Sequence, residues 1–383
     1  MIIRDAIHGD MEFSQAEMRI IESTPFRRMR YIKQLAFAEY VYPCATHNRY
    51  QHSLGVAQCI TDMYNAICKN SPSFYREGDL ELLRAMALVH DLGHPPFSHA
   101  SEDLSTIEHE ERLTGILESM KNEIIIPNNY GIESWRLVNE VYQGFGNVYM
   151  GDRHLIALHS LMDGFIDADK LDYLERDALY CGVKYGNFDR QDLINNLVMV
   201  NDNLVILPEG INALESFILA RYYMFSKVYM HPDERIIRIR YCNEMKKLLK
   251  EGVYPESTKK FLALDDTNYI HKLKCIKDNP YSLVFNDNFD GELKNNIDRL
   301  LSDYLICDCP RKGLFRQSKD DQTVLVYIKD SDELVPCTDF SPLLKSMEFQ
   351  YIHKLRYYAP KDIETEIKQE IRKVVSIYHD NKR

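Results

Sequence analysis

Between positions 80 and 99 the chain reads Leu80-Glu81-Leu82-Leu83-Arg84-Ala85-Met86-Ala87-Leu88-Val89-His90-Asp91-Leu92-Gly93-His94-Pro95-Pro96-Phe97-Ser98-His99. Leu82, Leu83, Met86 and His90 fall near one face at helical spacing, and Ala87 and Val89 widen that face into a buried helix. Gly93 and the Pro95-Pro96 pair then stop it. A His-Asp pair at a helix terminus can turn both side chains toward one ion, because the helix no longer constrains the backbone beyond it. A neutral imidazole and a carboxylate suit Fe, Mn, Co, Ni or Zn better than Ca.

Outward from this segment the apolar pattern remains mainly helical. Residues 53–68, 154–182 and 209–231 read as further long helices, whereas strand signals are short: 203–207 and 323–328. After about residue 250 Lys, Asp and Asn rise, histidine thins out and short strands alternate with helices. The expectation is a mainly α chain: a helical catalytic domain over 1–250 and a smaller α+β region over 251–383. Ile363–Lys373 reads as a charged amphipathic helix with a solvated face. No repeat or low-complexity tract stands out.

Composition narrows the class. Of 383 residues 45% are hydrophobic and 27% charged, as in ordinary folded proteins. No run approaches the length of about 20 apolar residues needed to cross a bilayer, and Met1-Ile2-Ile3-Arg4-Asp5 does not open a secretory signal. A cytoplasmic protein without a membrane partner is expected. The net charge of −11 gives no bulk attraction to nucleic-acid polymers. The nine cysteines form no CxxC pair, so reduced thiols are the simpler reading. Cys307 and Cys309 form a CxC that could hold a metal only with partners not apparent nearby.

Two residues do not make a catalytic metal site. His52 in Asn48-Arg49-Tyr50-Gln51-His52 and Asp169 in Asp167-Ala168-Asp169-Lys170 are the candidate partners. Two histidines and two carboxylates would leave coordination positions open for a water and a phosphoryl oxygen. Each, taken alone, reads more readily as a satisfied core or capping residue.

The order His52, His90-Asp91, Asp169 resembles the H…HD…D signature of the HD superfamily. Further segments are similar to the sterile-alpha-motif-and-HD-domain dNTP triphosphohydrolases and their bacterial relatives: Asp5 to Gly9, Arg30 to Leu35, His47 to Val56, His90 to His99 and Asp167 to Asp177. The HD segments begin almost at Met1, so no sterile-alpha-motif domain is expected ahead of them.

The resemblance implies an HD-domain helical bundle and roles for particular residues. His94, His99, His109 and Glu110 match the catalytic positions. Arg49, Lys170 and Arg221 match phosphate contacts, Tyr173 a residue of the sugar pocket, Gln34 and Leu35 residues against sugar and base, and Asp177 closes the last matching block. Read without the family, His94, His99, His109 and Glu110 more readily stabilise the turn, and the charged residues could be surface ion pairs, Asp172 and Arg176 among them.

Relatives assemble with nucleotides between subunits, which implies a homodimer or homotetramer. The guanine-reading positions fall at Glu22, Arg27 and Arg30, where only the last keeps the family residue, so a guanine-triggered switch is in doubt. Arg311-Lys312-Gly313-Leu314-Phe315-Arg316 resembles a basic segment that contacts regulatory phosphates, through Lys312 and Arg316, and reads equally as a solvated loop. The expected activity is hydrolysis of a dNTP to deoxynucleoside and inorganic triphosphate with one divalent transition metal, Mg accompanying the triphosphate. The alternatives are another HD phosphohydrolase (nucleotidase, cyclic-nucleotide phosphodiesterase or nuclease) and a non-catalytic nucleotide sensor.

Overall fold

Asn48 opens the central helix of the protein. Its side chain accepts from the Gln51 amide at 3.1 Å, and the Gln51 side chain accepts from the Asn48 amide at 3.1 Å. This reciprocal cap satisfies two amides that a helix start leaves unpaired. The helix runs Arg49–Asn70 and packs against the helices Asp79–Val89 and Ala168–Cys181. Gly55 permits the second contact, since a Cβ there would lie 1.9 Å from Asp172 Oδ1. The structure, a computed structural model, describes residues 1–127, 130–144, 152–249, 252–273, 279–313 and 323–382. The side chains of Glu110, Ser302, Asn381 and Lys382 lie outside the described set.

The chain is mainly α-helical with small sheets. Helix 79–89 ends at Val89, with His90 as its C-cap. Gly93, expected to stop this helix, serves a different purpose: a Cβ on it would fall 2.0 Å from the His109 carbonyl oxygen. Its missing side chain lets the start of the His109–Ser119 helix lie against the His-Asp turn.

The single helix expected over 154–182 is two helices, Arg153–Ser160 and Ala168–Cys181. Between them the chain turns at Gly164, whose amide donates to Asp167 Oδ2 at 3.2 Å. Asp167 Oδ1 also caps the second helix, accepting from the Lys170 amide at 2.8 Å. Similarly, 209–231 is a helix, Ile211–Met224, that widens into a π-turn over Phe225–Tyr229.

Strands β1 (Ile2–Asp5) and β2 (Gly9–Glu12) form an N-terminal hairpin. β3 (Leu197–Val200) and β4 (Asn203–Ile206) pair antiparallel, and β4 pairs in parallel with β8 (Leu325–Ile328), itself paired with β9 (Glu333–Pro336). That sheet joins segments from either side of residue 250. A second sheet centres on β10 (Tyr351–Pro360), flanked by β5 (Tyr281–Asn288) on one side and by β6 (Ile306–Asp308) and β7 (Arg311–Gly313) on the other.

The C-terminal helix Glu364–Lys382 buries Ile367, Ile371 and Tyr378 against Leu355 and Tyr357 of β10, so only its remaining face is solvated. Polar contacts tie this second sheet to the segment around residues 230–235. Arg356 donates to the Met230 carbonyl at 2.6 Å, Tyr358 to the Pro232 carbonyl at 2.9 Å, and Asp308 accepts from Arg235 at 3.1 Å. Among the described residues no helix is long and apolar enough to cross a membrane.

Candidate active site

Each expected metal ligand sits where a helix begins or ends. His52 lies on the first turn of helix 49–70, three residues after Arg49. His90 and Asp91 follow the last turn of helix 79–89, and Asp169 lies in the first turn of helix 168–181. The four side chains converge. His52 Nε2 is 2.8 Å from Asp169 Oδ1 and 3.8 Å from Asp91 Oδ2, while His90 Nε2 is 3.4 Å from Asp91 Oδ1 and 3.8 Å from Asp169 Oδ1.

The donor set fits a divalent transition metal. His90 donates through Nδ1 to the Ala87 carbonyl at 2.8 Å, which leaves Nε2 buried in the cluster without a hydrogen bond. An orphaned imidazole nitrogen beside two carboxylates is a cost unless something cationic occupies the space between them. His52 shows the same demand. Burial opposes its charge, yet hydrogen bonds to Asp169 and Asp172 push its pKa up to about 10.

Behind the ligands lies a buried charge network whose role was not apparent from the sequence. Asp172 Oδ2 accepts from His52 Nδ1 at 2.8 Å, and its other oxygen lies 2.7 Å from His8 Nε2. Arg176, one turn on, donates to Asp172 at 2.8 Å and to Asp5 at 2.9 Å. Asp172 and Arg176 are fully buried and far from being a surface ion pair. Burial opposes ionisation of Asp172, but Arg176, His52 and His8 outweigh it and hold the carboxyl well below its usual value. The legible signal was the spacing: Asp172 follows Asp169 by three residues and precedes Arg176 by four.

Arg49 occupies the opposite side of the cluster. It reaches Asp91 Oδ2 at 2.6 Å and donates from Nε to Ser98 Oγ at 2.7 Å, leaving Nη2 buried without a hydrogen bond. Burial again opposes ionisation of Asp91, but Arg49, His90 and His94 hold its carboxyl well below the ordinary range.

The histidines after the His-Asp pair form a second group. His94 Nε2 lies 3.2 Å from Asp91 Oδ1, and its ring stacks on His109 with centroids 4.2 Å apart. Burial and the nearby Arg49 keep His94 well below the usual histidine pKa, so it is neutral. His99 meets the His94 ring edge-on at 4.9 Å and hydrogen-bonds Glu102 Oε1 at 2.6 Å. Glu102, which no sequence pattern marks out, also faces His109 Nδ1 at 3.9 Å. Partial burial opposes its charge, but His99 holds its carboxyl below the usual value. Glu110 follows in the first turn of the His109–Ser119 helix; its side chain lies outside the described residues.

The turn that carries these groups is strained and held from outside. Phe97 and Ser98 have φ of 61° and 53°, a region that costs energy for residues with side chains. Asp266 accepts from the Phe97 amide at 2.7 Å and from the Lys33 amide at 3.0 Å. Arg28 donates to the His94 carbonyl at 3.1 Å, and Ser98 Oγ to the Lys33 carbonyl at 2.7 Å. Neither Arg28 nor Asp266 was singled out from the sequence.

A cleft of about 720 Å³ opens beside the cluster, with Gln34, Leu35, His99, Tyr173, Asp177 and Lys312 in its walls. Asp177 is anchored by His47 and Tyr229, each 2.7 Å away. Lys170 pairs with Asp167 and donates to the Gly164 carbonyl at 2.9 Å. The Arg221 guanidinium lies 5.4 Å from the centre of the Phe225 ring on the cleft wall.

The expected regulatory residues separate. Glu22, Arg27 and Arg30 are exposed around Tyr50, with the Arg30 guanidinium 3.6 Å above that ring. Lys312 instead lines the cleft. Arg316 lies outside the described residues.

Residues 49–129 match the HD domain family model and residues 188–284 that of the HD associated region. In these two segments the chain is similar to HD-domain proteins. It also resembles the deoxynucleoside triphosphate triphosphohydrolases named SAMHD1. The SAMHD1 homolog of Dictyostelium discoideum is 28% identical over 279 residues, covering 70% of this chain and 53% of that protein. The uncharacterized protein YwfO of Bacillus subtilis is 34% identical over 238 residues, 61% of this chain and 53% of that one. The chain thus spans about half the length of the curated relatives it matches. Among solved structures, a hypothetical protein from Aquifex aeolicus superposes with a TM-score of 0.83 at 26% identity, covering 97% of this chain and 99% of that one.

Proposed function

We propose that the protein hydrolyses deoxynucleoside triphosphates to deoxynucleoside and inorganic triphosphate. The observation that carries the reading is the meeting of two features: a His/Asp cluster fit for one metal, and an adjoining cleft walled by Tyr173, Gln34 and the His99–Glu102 pair. The first is the apparatus of a phosphohydrolase, and the second has the size of a nucleotide site.

In this reading His52, His90, Asp91 and Asp169 hold the ion. A bound divalent ion would supply Lewis-acid polarisation of a phosphoryl oxygen and acidify a water. Water adds at the α-phosphorus and the bond to the 5′-oxygen breaks, so that oxygen requires a proton. His99 suits this role because it faces the cleft and its ring is held by a hydrogen bond to the Glu102 carboxylate. Neutral His94 instead orients Asp91 and stacks against His109. Arg49, Lys170 and Arg221 neutralise phosphate charge, and the Tyr173 ring packs on the sugar.

The test is incubation of the purified protein with each dNTP, singly and mixed, in Mn2+, with anion-exchange detection of products and Asp91→Ala as control. Triphosphate and deoxynucleoside that vanish in the variant are the expected result. Release of orthophosphate or pyrophosphate would move the reading to another phosphohydrolase. Nucleotide binding without turnover, unchanged by His90→Ala, would make the protein a sensor.

A further inference from the structure

Resting on the nucleotide reading above, we infer that Lys312 of the C-terminal lobe is a substrate-phosphate ligand of the active cleft, supplied by the same chain.

The argument begins with where β7 is held. Lys312 pairs with the buried Ile352 of β10, and β10 is clamped to the 225–238 segment through Arg356 and Tyr358. The strand is therefore fixed against the helical domain, and Lys312 enters the cleft from a rigid frame. Its ammonium lies 4.8 Å from the centre of the Phe225 ring, the ring that Arg221 approaches at 5.4 Å. Two cations, one from each lobe, thus converge on one aromatic side chain of the cleft wall.

Among the described residues Lys312 has no carboxylate ion-pair partner. Burial, then the fields of Arg221 and Lys170, hold its pKa below that of an ordinary lysine. The carboxylates in the cleft wall are otherwise occupied: Glu102 by His99, Asp177 by His47 and Tyr229, and Glu234 beside Arg235 and Arg238. A lysine and an arginine that converge on one aromatic ring of a cleft wall favour an incoming polyanion, and a triphosphate chain is one.

The measurement is calorimetric binding of inorganic triphosphate and of deoxynucleoside to the Mn2+-loaded full chain, for wild type, Lys312→Ala and Lys312→Arg, alongside dNTP kinetics. The alanine variant is expected to bind triphosphate roughly ten- to a hundredfold more weakly, with KM raised more than kcat falls. Deoxynucleoside affinity and melting temperature should hold steady, and Lys312→Arg should restore most of the loss. Equal triphosphate affinity in wild type and Lys312→Ala overturns the inference and leaves the proposed activity standing. Weakened triphosphate binding in a protein that hydrolyses no dNTP supports the phosphate site while the activity falls. A wild type that binds no triphosphate overturns both.

Discussion

His52 Nδ1 and Asp172 Oδ2 lie 2.8 Å apart in a fully buried contact, with the opposite ring nitrogen of His52 facing Asp169. Asp172 can only accept, so it fixes the proton on Nδ1 and turns Nε2 toward the cluster. Asp172→Asn is expected to weaken metal binding roughly ten- to a hundredfold, read by chelator competition. Asp172→Ala should additionally cost about 3–5 kcal/mol, because Arg176 loses its main buried partner. Unchanged metal affinity in the asparagine variant would remove the orienting role.

Gly93 provides a second expectation. Its α-carbon faces the His109 carbonyl so closely that a methyl group would require 2.0 Å. Gly93→Ala should destabilise the fold by about 1–3 kcal/mol and push the stacked His94–His109 pair away from Asp91. Turnover should fall roughly a hundredfold if the rings shift by an ångström. Wild-type kinetics in a folded Gly93→Ala protein would show that this packing is not needed for activity.

Asp266 reaches the catalytic turn from far along the chain and accepts from two amides, those of Phe97 and Lys33. Burial pushes its pKa up to about 6, against the donated hydrogen bonds. Removing the carboxylate strands both donors and leaves the left-handed Phe97-Ser98 pair unsupported. Asp266→Ala is expected to lower unfolding stability by about 2–4 kcal/mol in denaturant titration, with Asp266→Asn intermediate because it keeps one acceptor.

Glu234 sets a pH dependence. Burial pushes its pKa from 4.5 up to about 7, only partly offset by Arg238 and Arg235. Between these values the folded protein holds a proton that the unfolded chain has released, so stability falls as pH rises from 4.5 toward 7. Glu234→Gln carries no such charge. Relative to wild type it should gain up to about 3 kcal/mol across that window, measured as the difference in unfolding midpoints at either end. Parallel pH profiles for the two proteins would count against the buried-acid account.

Much of this site was legible because local spacing carries it. Arg49 and His52 lie three apart on one capped helix, the His-Asp pair ends another, and Asp169, Tyr173 and Asp177 repeat every four residues along a third. Such relationships lie within a few turns, so periodicity and capping residues expose them. The same logic over-extended the 154–182 helix, because the break at Gly164 depends on a turn that apolar periodicity does not register.

What the sequence by itself determined was the mainly α class, the candidate ligands and the order in which helices present them. Only the tertiary structure decided which polar groups stand behind those ligands. His8 and Asp172 are 164 positions apart, Phe97 and Asp266 169, and each pair closes a buried hydrogen bond. It also decided that Lys312 enters the cleft and that Gly93 lets the His109 carbonyl approach. The physical reason is common to all of them. Burial turns an ordinary charge into an obligation to find a partner, and that partner is chosen by packing between elements remote in the chain.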